Sequence, residues 1–470
     1  MTDISAPQKL FKKSPRIFPK RVWGRFRQIK WIAMVVLLGL YYTLPFLRWD
    51  RGEHAPDQAI LIDMVHQRAY FFFIELWPQE VFYLAGIMIL AAFALFFATS
   101  LFGRIWCGYA CPQTVWTDLF VWVERIIQGD RMKRLKLHKA PWSFDKIWKM
   151  ALTHTLWLVI GLFTGGAWVF YFNDAPTLLE HILRFDVPWS VLVWILSLTF
   201  STYLMAGFAR DQVCNYMCPY ARFQSAMFDK NTLIIGYDAE RGETRGRKRK
   251  SESWDDRGHC VDCTACVQVC PMGIDIRDGL QMSCIACGLC IDACDNVMEK
   301  LDLPKNLIRY DTSLQQEARA SGGIEKTRLI RPRTIYYAML LSAVSALMLY
   351  GLIVRSETEI HILHDRNPLF VQLSDGSVRN GYAVKILNKA GEDRLFRLTA
   401  RGIEGLSLRI QGVGDVTPDA LPVYADSVGH FRLFVTAPKP KDKRAEIEFL
   451  LEPVGGGDSP VYDSIFVSGK

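Results

Sequence analysis

Five stretches of this chain carry no Asp, Glu, Lys or Arg: Trp31 to Leu47, Val81 to Gly103, Met150 to Phe172, Val187 to Ala209 and Thr334 to Val354. Roughly 17 to 25 mostly apolar residues are what a helix needs to cross the hydrocarbon core of a bilayer, and the first stretch only just reaches that length. The whole-chain averages, 50% hydrophobic and 22% charged over 470 residues, hide this division into two kinds of segment. The expected fold class is a polytopic α-helical membrane protein with five spans.

The charges between the spans are unevenly shared. Nine Lys and Arg precede the first span; the connection Asp50 to Glu80 holds two, Arg104 to Trp148 holds eight and Asn173 to Asp186 holds one. Basic loops stay cytoplasmic, so the pattern predicts a cytoplasmic N-terminus, and five crossings then put the C-terminus in the periplasm or its equivalent. The basic run before the first span is far longer than the n-region of a signal peptide, and no small-residue cleavage site follows, so that span is expected to be a retained anchor. The net charge of +8 sits in particular loops and not along one helix or patch, which argues against a nucleic-acid partner. The basic stretch Arg241 to Lys250 is read as a solvated loop attracted to anionic membrane lipid.

Between the fourth and fifth spans lie eight of the twelve cysteines, in two runs: Cys260, Cys263, Cys266 and Cys270 before Pro271, then Cys284, Cys287, Cys290 and Cys294. This is the spacing of bacterial two-cluster ferredoxins, in which the fourth cysteine of each run serves the other cluster. One 4Fe-4S cluster is therefore expected on Cys260, Cys263, Cys266 and Cys294, and a second on Cys270, Cys284, Cys287 and Cys290. Disulfides are disfavoured in a reducing cytoplasm, and tetrahedral zinc seldom needs two overlapping runs. Asp295 stands where a proline is expected after the last cysteine.

The other four cysteines form an internal repeat. Cys107-Gly-Tyr109-Ala-Cys111-Pro112 follows the second span and Cys214-Asn-Tyr216-Met-Cys218-Pro219 follows the fourth. The i, i+4 spacing would put both thiols of a pair on one helix face, with the proline marking where the helix frays or restarts. Four thiols could converge there as soft ligands for Cu(I). Simple packing, or a reactive dithiol, would use the same residues. His154 lies near the start of the third span, where an ionisable side chain suggests function, although a hydrogen bond to a neighbour would also account for it. His361 and His364, after the last span, could hold copper or begin a polar strand.

After Val354 short alternating segments, Tyr382 to Leu387, Leu395 to Ala400, Leu406 to Ile410, Phe431 to Thr436 and Glu446 to Leu451, are separated by Gly, Pro, Asp and Asn. They predict a cysteine-free antiparallel β-sandwich. The expected domains are a basic N-terminus (1–30), a four-span membrane domain (31–240), a dicluster ferredoxin domain with linkers (241–333), a fifth span (334–354) and a β-sandwich (355–470).

The order of these motifs, with the stretches Asp365 to Phe370 and Ser374 to Tyr382, resembles the FixG/RdxA/CcoG family, accessory proteins for assembly of cbb3-type cytochrome c oxidase. The resemblance implies a protein of the bacterial inner membrane with cytoplasmic clusters and a periplasmic immunoglobulin-like domain. It also implies a cupric reductase that supplies Cu(I) for the oxidase, with Cys107, Cys111, Cys214 and Cys218 handling the copper. Oxidase assembly factors, or a copper transporter or chaperone, would then be partners. The rival readings are a quinol-oxidising ferredoxin relay and a non-catalytic assembly scaffold. No flavin or nicotinamide fingerprint is present, so the electron donor is expected to be a membrane quinol or a soluble reductant.

Overall fold

The computed structural model describes residues 16–52, 55–247, 254, 257–411, 417–440 and 442–469. The start of the basic N-terminus and the 248–250 end of the basic stretch lie outside them. The described chain forms two units, one comprising residues up to 47 with 58–346, the other residues 48–57 with 347 onward.

Among the described residues, five helices are long and apolar enough to cross a membrane: Arg25–Phe46, Pro78–Phe102, Phe144–Val169, Trp189–Ala209 and Pro332–Ile353. The first and third begin six residues before their charge-free stretches (25 against 31, 144 against 150), and several of the charges there are paired within the protein. Arg27 donates two hydrogen bonds of 2.9 Å to Asp118, while Lys146 donates to the carbonyls of His138 and Ala140. Ser143 caps the third of these helices by accepting from the Lys146 amide. A charge-free criterion cannot see residues paired in this way.

Between the first two long helices lies a small antiparallel sheet that the sequence did not announce, made of β1 (Ile60–Asp63), β2 (Arg68–Phe71) and β3 (Ile74–Leu76). In the cysteine-rich segment, β4 (Ile234–Tyr237) pairs with β5 (Ile308–Asp311), so the strand before the first cysteine run meets the strand after the second and closes the lobe. The helices Ala265–Val269 and Leu289–Lys300 pack inside that closure.

The second unit contains the expected sandwich. One sheet has the order β10 (Ser407–Gln411), β12 (Ser427–Ala437), β8 (Val378–Asn388), β6 (Thr358–His364), with β7 (Val371–Gln372) also on β8. The other runs β11 (Leu421–Val423), β9 (Arg394–Arg401), β13 (Arg444–Pro453), β14 (Val461–Val467). Alternate residues from both, among them Ile362, Tyr382, Phe396, Val435, Phe449 and Phe466, form one buried core. Asn380 on β8 binds both the amide and the carbonyl of Val467 on β14, each at 2.9 Å, and so acts as a piece of backbone joining the sheets. The nearby Tyr382 hydroxyl donates to the Ile465 carbonyl. These contacts give Asn380 and Tyr382, in the stretch Ser374 to Tyr382, their structural roles.

Candidate redox and metal site

The two cysteine runs sort into two cavities as their spacing predicts. One, of about 360 Å³, is walled by Cys260, Cys263, Cys266 and Cys294. The other, of about 350 Å³, is walled by Cys270, Cys284, Cys287 and Cys290, with Cys266 at its edge. The helix Leu289–Lys300 supplies Cys290 to one cavity and Cys294 to the other, and this shared helix is the physical form of the crossed ligand pattern. Because that helix continues through position 295, a proline there would clash with the preceding turn. Asp295 instead accepts a hydrogen bond from the Asn306 amide. After Cys270 the backbone turns extended, where Pro271 fits.

The donor set suits iron–sulfur clusters. Among the described residues no three His, Cys, Asp or Glu side chains close around a single ion. Tetrahedral zinc would draw four sulfurs to about 2.3 Å from one point, whereas a cubane needs them spread around a larger volume, as they are here. Burial pushes the Cys270 and Cys294 thiols up to about 12, with neighbouring sulfurs adding to the shift, and pushes Cys266 and Cys284 up to about 11. Thiolates in such surroundings need bound cations to neutralise them. The second wall is otherwise apolar, with Ile235, Ile274, Ile276 and Ile285, whereas the first adds Tyr237, Thr264 and Arg277 to Val297, Met298 and Leu307. Cys263 is exposed, so the first cavity lies nearer the surface.

The repeated motifs do not place their thiols as the i, i+4 argument expected. Cys107 lies within a short helix, Ile105–Tyr109, but Cys111 is extended (φ −60°, ψ 127°) and caps a new helix, Pro112–Gln128, with Pro112 as its first residue. The second motif repeats this: Val213–Met217 is a single wide turn, and extended Cys218 caps Pro219–Ala226. Both breaks are closed by the same i to i−5 bond at 2.8 Å, from Cys111 N–H to the Trp106 carbonyl and from Cys218 N–H to the Val213 carbonyl. The restart at proline was legible; the separation of the cysteines onto different elements was not.

The four thiols nonetheless lie near one another. Cys107 is raised by burial, opposed by Arg104 and reinforced by Cys111 and Cys218. Cys214 is pushed up to about 12 by burial, then by Cys111, Cys107 and Cys218. Two of them also adjoin the second cluster cavity. Cys107 shares a buried cluster with Cys287 and Ile285, with Cys214 and Cys270 packed against it. Tyr109 donates a 3.0 Å hydrogen bond to the Cys287 carbonyl, and Tyr310 donates to the Ala286 carbonyl. A side chain at Gly108 would meet the Ile285 carbonyl at 2.7 Å and the Cys287 Cα at 3.1 Å, so glycine permits the close approach.

Several residues that build the site were missed by sequence reasoning. Gln224 accepts from Arg104 Nε at 2.9 Å and from the Cys107 thiol at 3.3 Å. Glu124, 1% exposed, is ion-paired to Arg16, Arg134 and Arg210, and Asp118 to Arg27 and Lys30. Their only sequence sign was a count of charges in loops. His154 binds the Tyr203 hydroxyl at 2.9 Å, across to the fourth long helix and not to its flanking threonines. His361 and His364 are not brought together: they stand on opposite faces of β6, and His364 is bonded to Asn380.

Three family models match: a 4Fe-4S dicluster domain over residues 209–313, a 4Fe-4S binding domain over 84–129, and the immunoglobulin-like fold at the C-terminus of FixG over 348–469. The nitrogen fixation protein FixG of Rhizobium meliloti is 47% identical, over 97% of this chain and 93% of its own. The chain belongs to the FixG/RdxA family. Protein RdxA of Cereibacter sphaeroides is 44% identical over 96% of each chain, and the ferredoxin-type protein NapH of Haemophilus influenzae is 24% identical over 58% of this one. This member of the family is thus an iron–sulfur electron-transfer protein whose eight ferredoxin cysteines stand in two cluster-sized cavities.

Proposed function

We propose that this FixG/RdxA protein spans the bacterial inner membrane, keeps its clusters on the cytoplasmic side and its sandwich on the periplasmic side, and reduces Cu(II) to Cu(I) for cbb3-type oxidase assembly. The observation that carries the reading is the packing of Cys107 against Cys287, at the wall of the second cluster cavity. The clusters held by the eight cysteines supply one-electron carriers. Cys107, Cys111, Cys214 and Cys218 offer soft sulfur ligands, which favour Cu(I) over Cu(II) and so raise the copper potential. The step balances as one electron taken by one Cu(II) ion. Metal binding at the raised thiols of Cys107 and Cys214 releases protons.

The test is anaerobic reduction of the purified protein with dithionite, removal of the excess, and addition of Cu(II) with a Cu(I)-specific chelator. Cu(I) should form in proportion to the reoxidation of the clusters. Clusters that stay reduced while no Cu(I) forms would contradict copper as the acceptor.

A further inference from the structure

We propose that a cavity bounded by the helices Pro112–Gln128, Arg131–Lys139 and Phe144–Val169 binds a lipid-soluble hydroquinone, which is the electron donor. The proposal rests on the electron-transfer reading above and names its substrate. The cavity and its open mouth together span about 780 Å³, and the wall includes Phe18, Glu124, Arg134, Trp142, His154 and Trp157. Two polar groups in it lack protein partners. Arg134 is 1% exposed, donates to Glu124 at 3.0 Å and to the Pro19 carbonyl at 2.5 Å, and leaves its Nε–H buried without an acceptor. His154 is held at Nδ1 by Tyr203 and stacked on Phe208, and among the described residues its Nε2 has no hydrogen-bond partner.

An anionic lipid headgroup would need free cations. Here Arg16 and Arg134 are tied to Glu124, which leaves Lys146, held by two carbonyls and the Trp142 ring, as the lining cation without a carboxylate among the described residues. One lysine does not make a headgroup site, whereas the Arg134 Nε–H, the His154 Nε2, the His138 ring and the aromatic faces suit a flat ring with an oxygen at each end. Beside the cavity, Trp142, Phe144, Ile147 and Trp148 are exposed at the start of a membrane-length helix, where a lipid-borne ligand would approach.

The cavity is also placed to deliver electrons. Residues 16–19 form a shared wall: Arg16 and Phe18 line this cavity, while Ile17 and Pro19 line the next, of about 610 Å³, whose far side is Cys214, Met272 and Ile285. Oxidation of the hydroquinone to the quinone releases two electrons and two protons. The electrons pass singly to the two clusters; one proton goes to His154 Nε2 and the other to water at the cavity mouth. Arg134 Nε–H holds the opposite oxygen.

The test uses full-length, cluster-loaded protein in detergent and a short-chain hydroquinone such as decylubiquinol, with cluster bleaching as readout. The parent should be reduced at least tenfold faster than His154→Leu, while both reduce Cu(II) equally once dithionite has loaded their clusters. Arg134→Lys should weaken hydroquinone affinity. If the parent is not reduced by the hydroquinone yet dithionite-loaded protein still yields Cu(I), the cavity proposal fails and the copper reading stands. Equal rates in parent and His154→Leu would also overturn it. Binding of anionic vesicles lost in both variants, without any hydroquinone oxidation, would mark the cavity as a headgroup site instead.

Discussion

The two Cys-x-Tyr-x-Cys-Pro motifs share their spacing, their helix break and their closing hydrogen bond, yet one is docked and the other is open. Tyr109 is bonded to the Cys287 carbonyl, whereas Tyr216 is 58% exposed. Cys107 is buried against Gln224 and the ferredoxin loop; Cys214 lines a cavity. Four residues before the first cysteine of each motif, the backbone is left-handed: Gly103 at φ 60° and Arg210 at φ 38°. Glycine takes this conformation freely, but arginine does so at a cost of order 1–3 kcal/mol, offset here by its hydrogen bonds to Glu124 and the Gly207 carbonyl. One motif thus packs its tyrosine and first cysteine on the cluster loop, while the other leaves its tyrosine exposed and lines a cavity with its first cysteine.

The anchor of the open motif predicts the largest effect. Burial alone would raise the Glu124 carboxyl, but Arg210, Arg16 and Arg134 outweigh it and hold the group below its ordinary range. Glu124→Gln leaves three guanidiniums without their anion and should destabilise by about 3–5 kcal/mol, measured by thermal unfolding in detergent. Since the folded value is depressed, this contribution should be full above the ordinary carboxylate range and fade as pH falls through the folded value. The docked motif relies on a neutral partner, so Gln224→Leu should cost less, about 1–3 kcal/mol.

Next comes the close approach. Gly108→Val should cost about 1–3 kcal/mol by overpacking and lower the iron content below the roughly eight atoms of two clusters. Asn215→Val, the matching change in the open motif, should keep its iron; equal loss in both would erase the distinction drawn between them. The smallest effect is at the tyrosines. Tyr109→Phe should cost about 1 kcal/mol and shift the potential of one cluster, while Tyr216→Phe should do neither.

Much of this arrangement was legible because the signals are local. Cysteine spacing fixes which thiols share a cluster, and long uncharged runs fix helices; the β-sandwich strands between 378 and 453 are marked by alternation. What stayed hidden depends on distant partners. Arg27 reads as a loop charge until Asp118 is seen beside it, 91 residues away. Gln224, in neither cysteine motif, has no signal that ties it to Cys107. The short β1, β2 and β3 lack a strong alternating pattern, and β14 shows only weak alternation, with Val461, Asp463 and Ile465 facing out. The cysteines at the helix breaks show the same limit: i, i+4 spacing implies one face only where the helix continues, and Cys111 and Cys218 are where it stops.

The central claim is that the four membrane-boundary thiols handle copper while the other eight hold the clusters. It is tested most directly by Cys111→Ser combined with Cys218→Ser, assayed for iron, Cu(I) binding and dithionite-driven Cu(II) reduction. The account predicts parental iron, about eight atoms per chain, with copper binding and reduction sharply weakened. Undiminished copper reduction, or the loss of about four irons in the variant, would contradict it, the second result by making these thiols cluster ligands themselves.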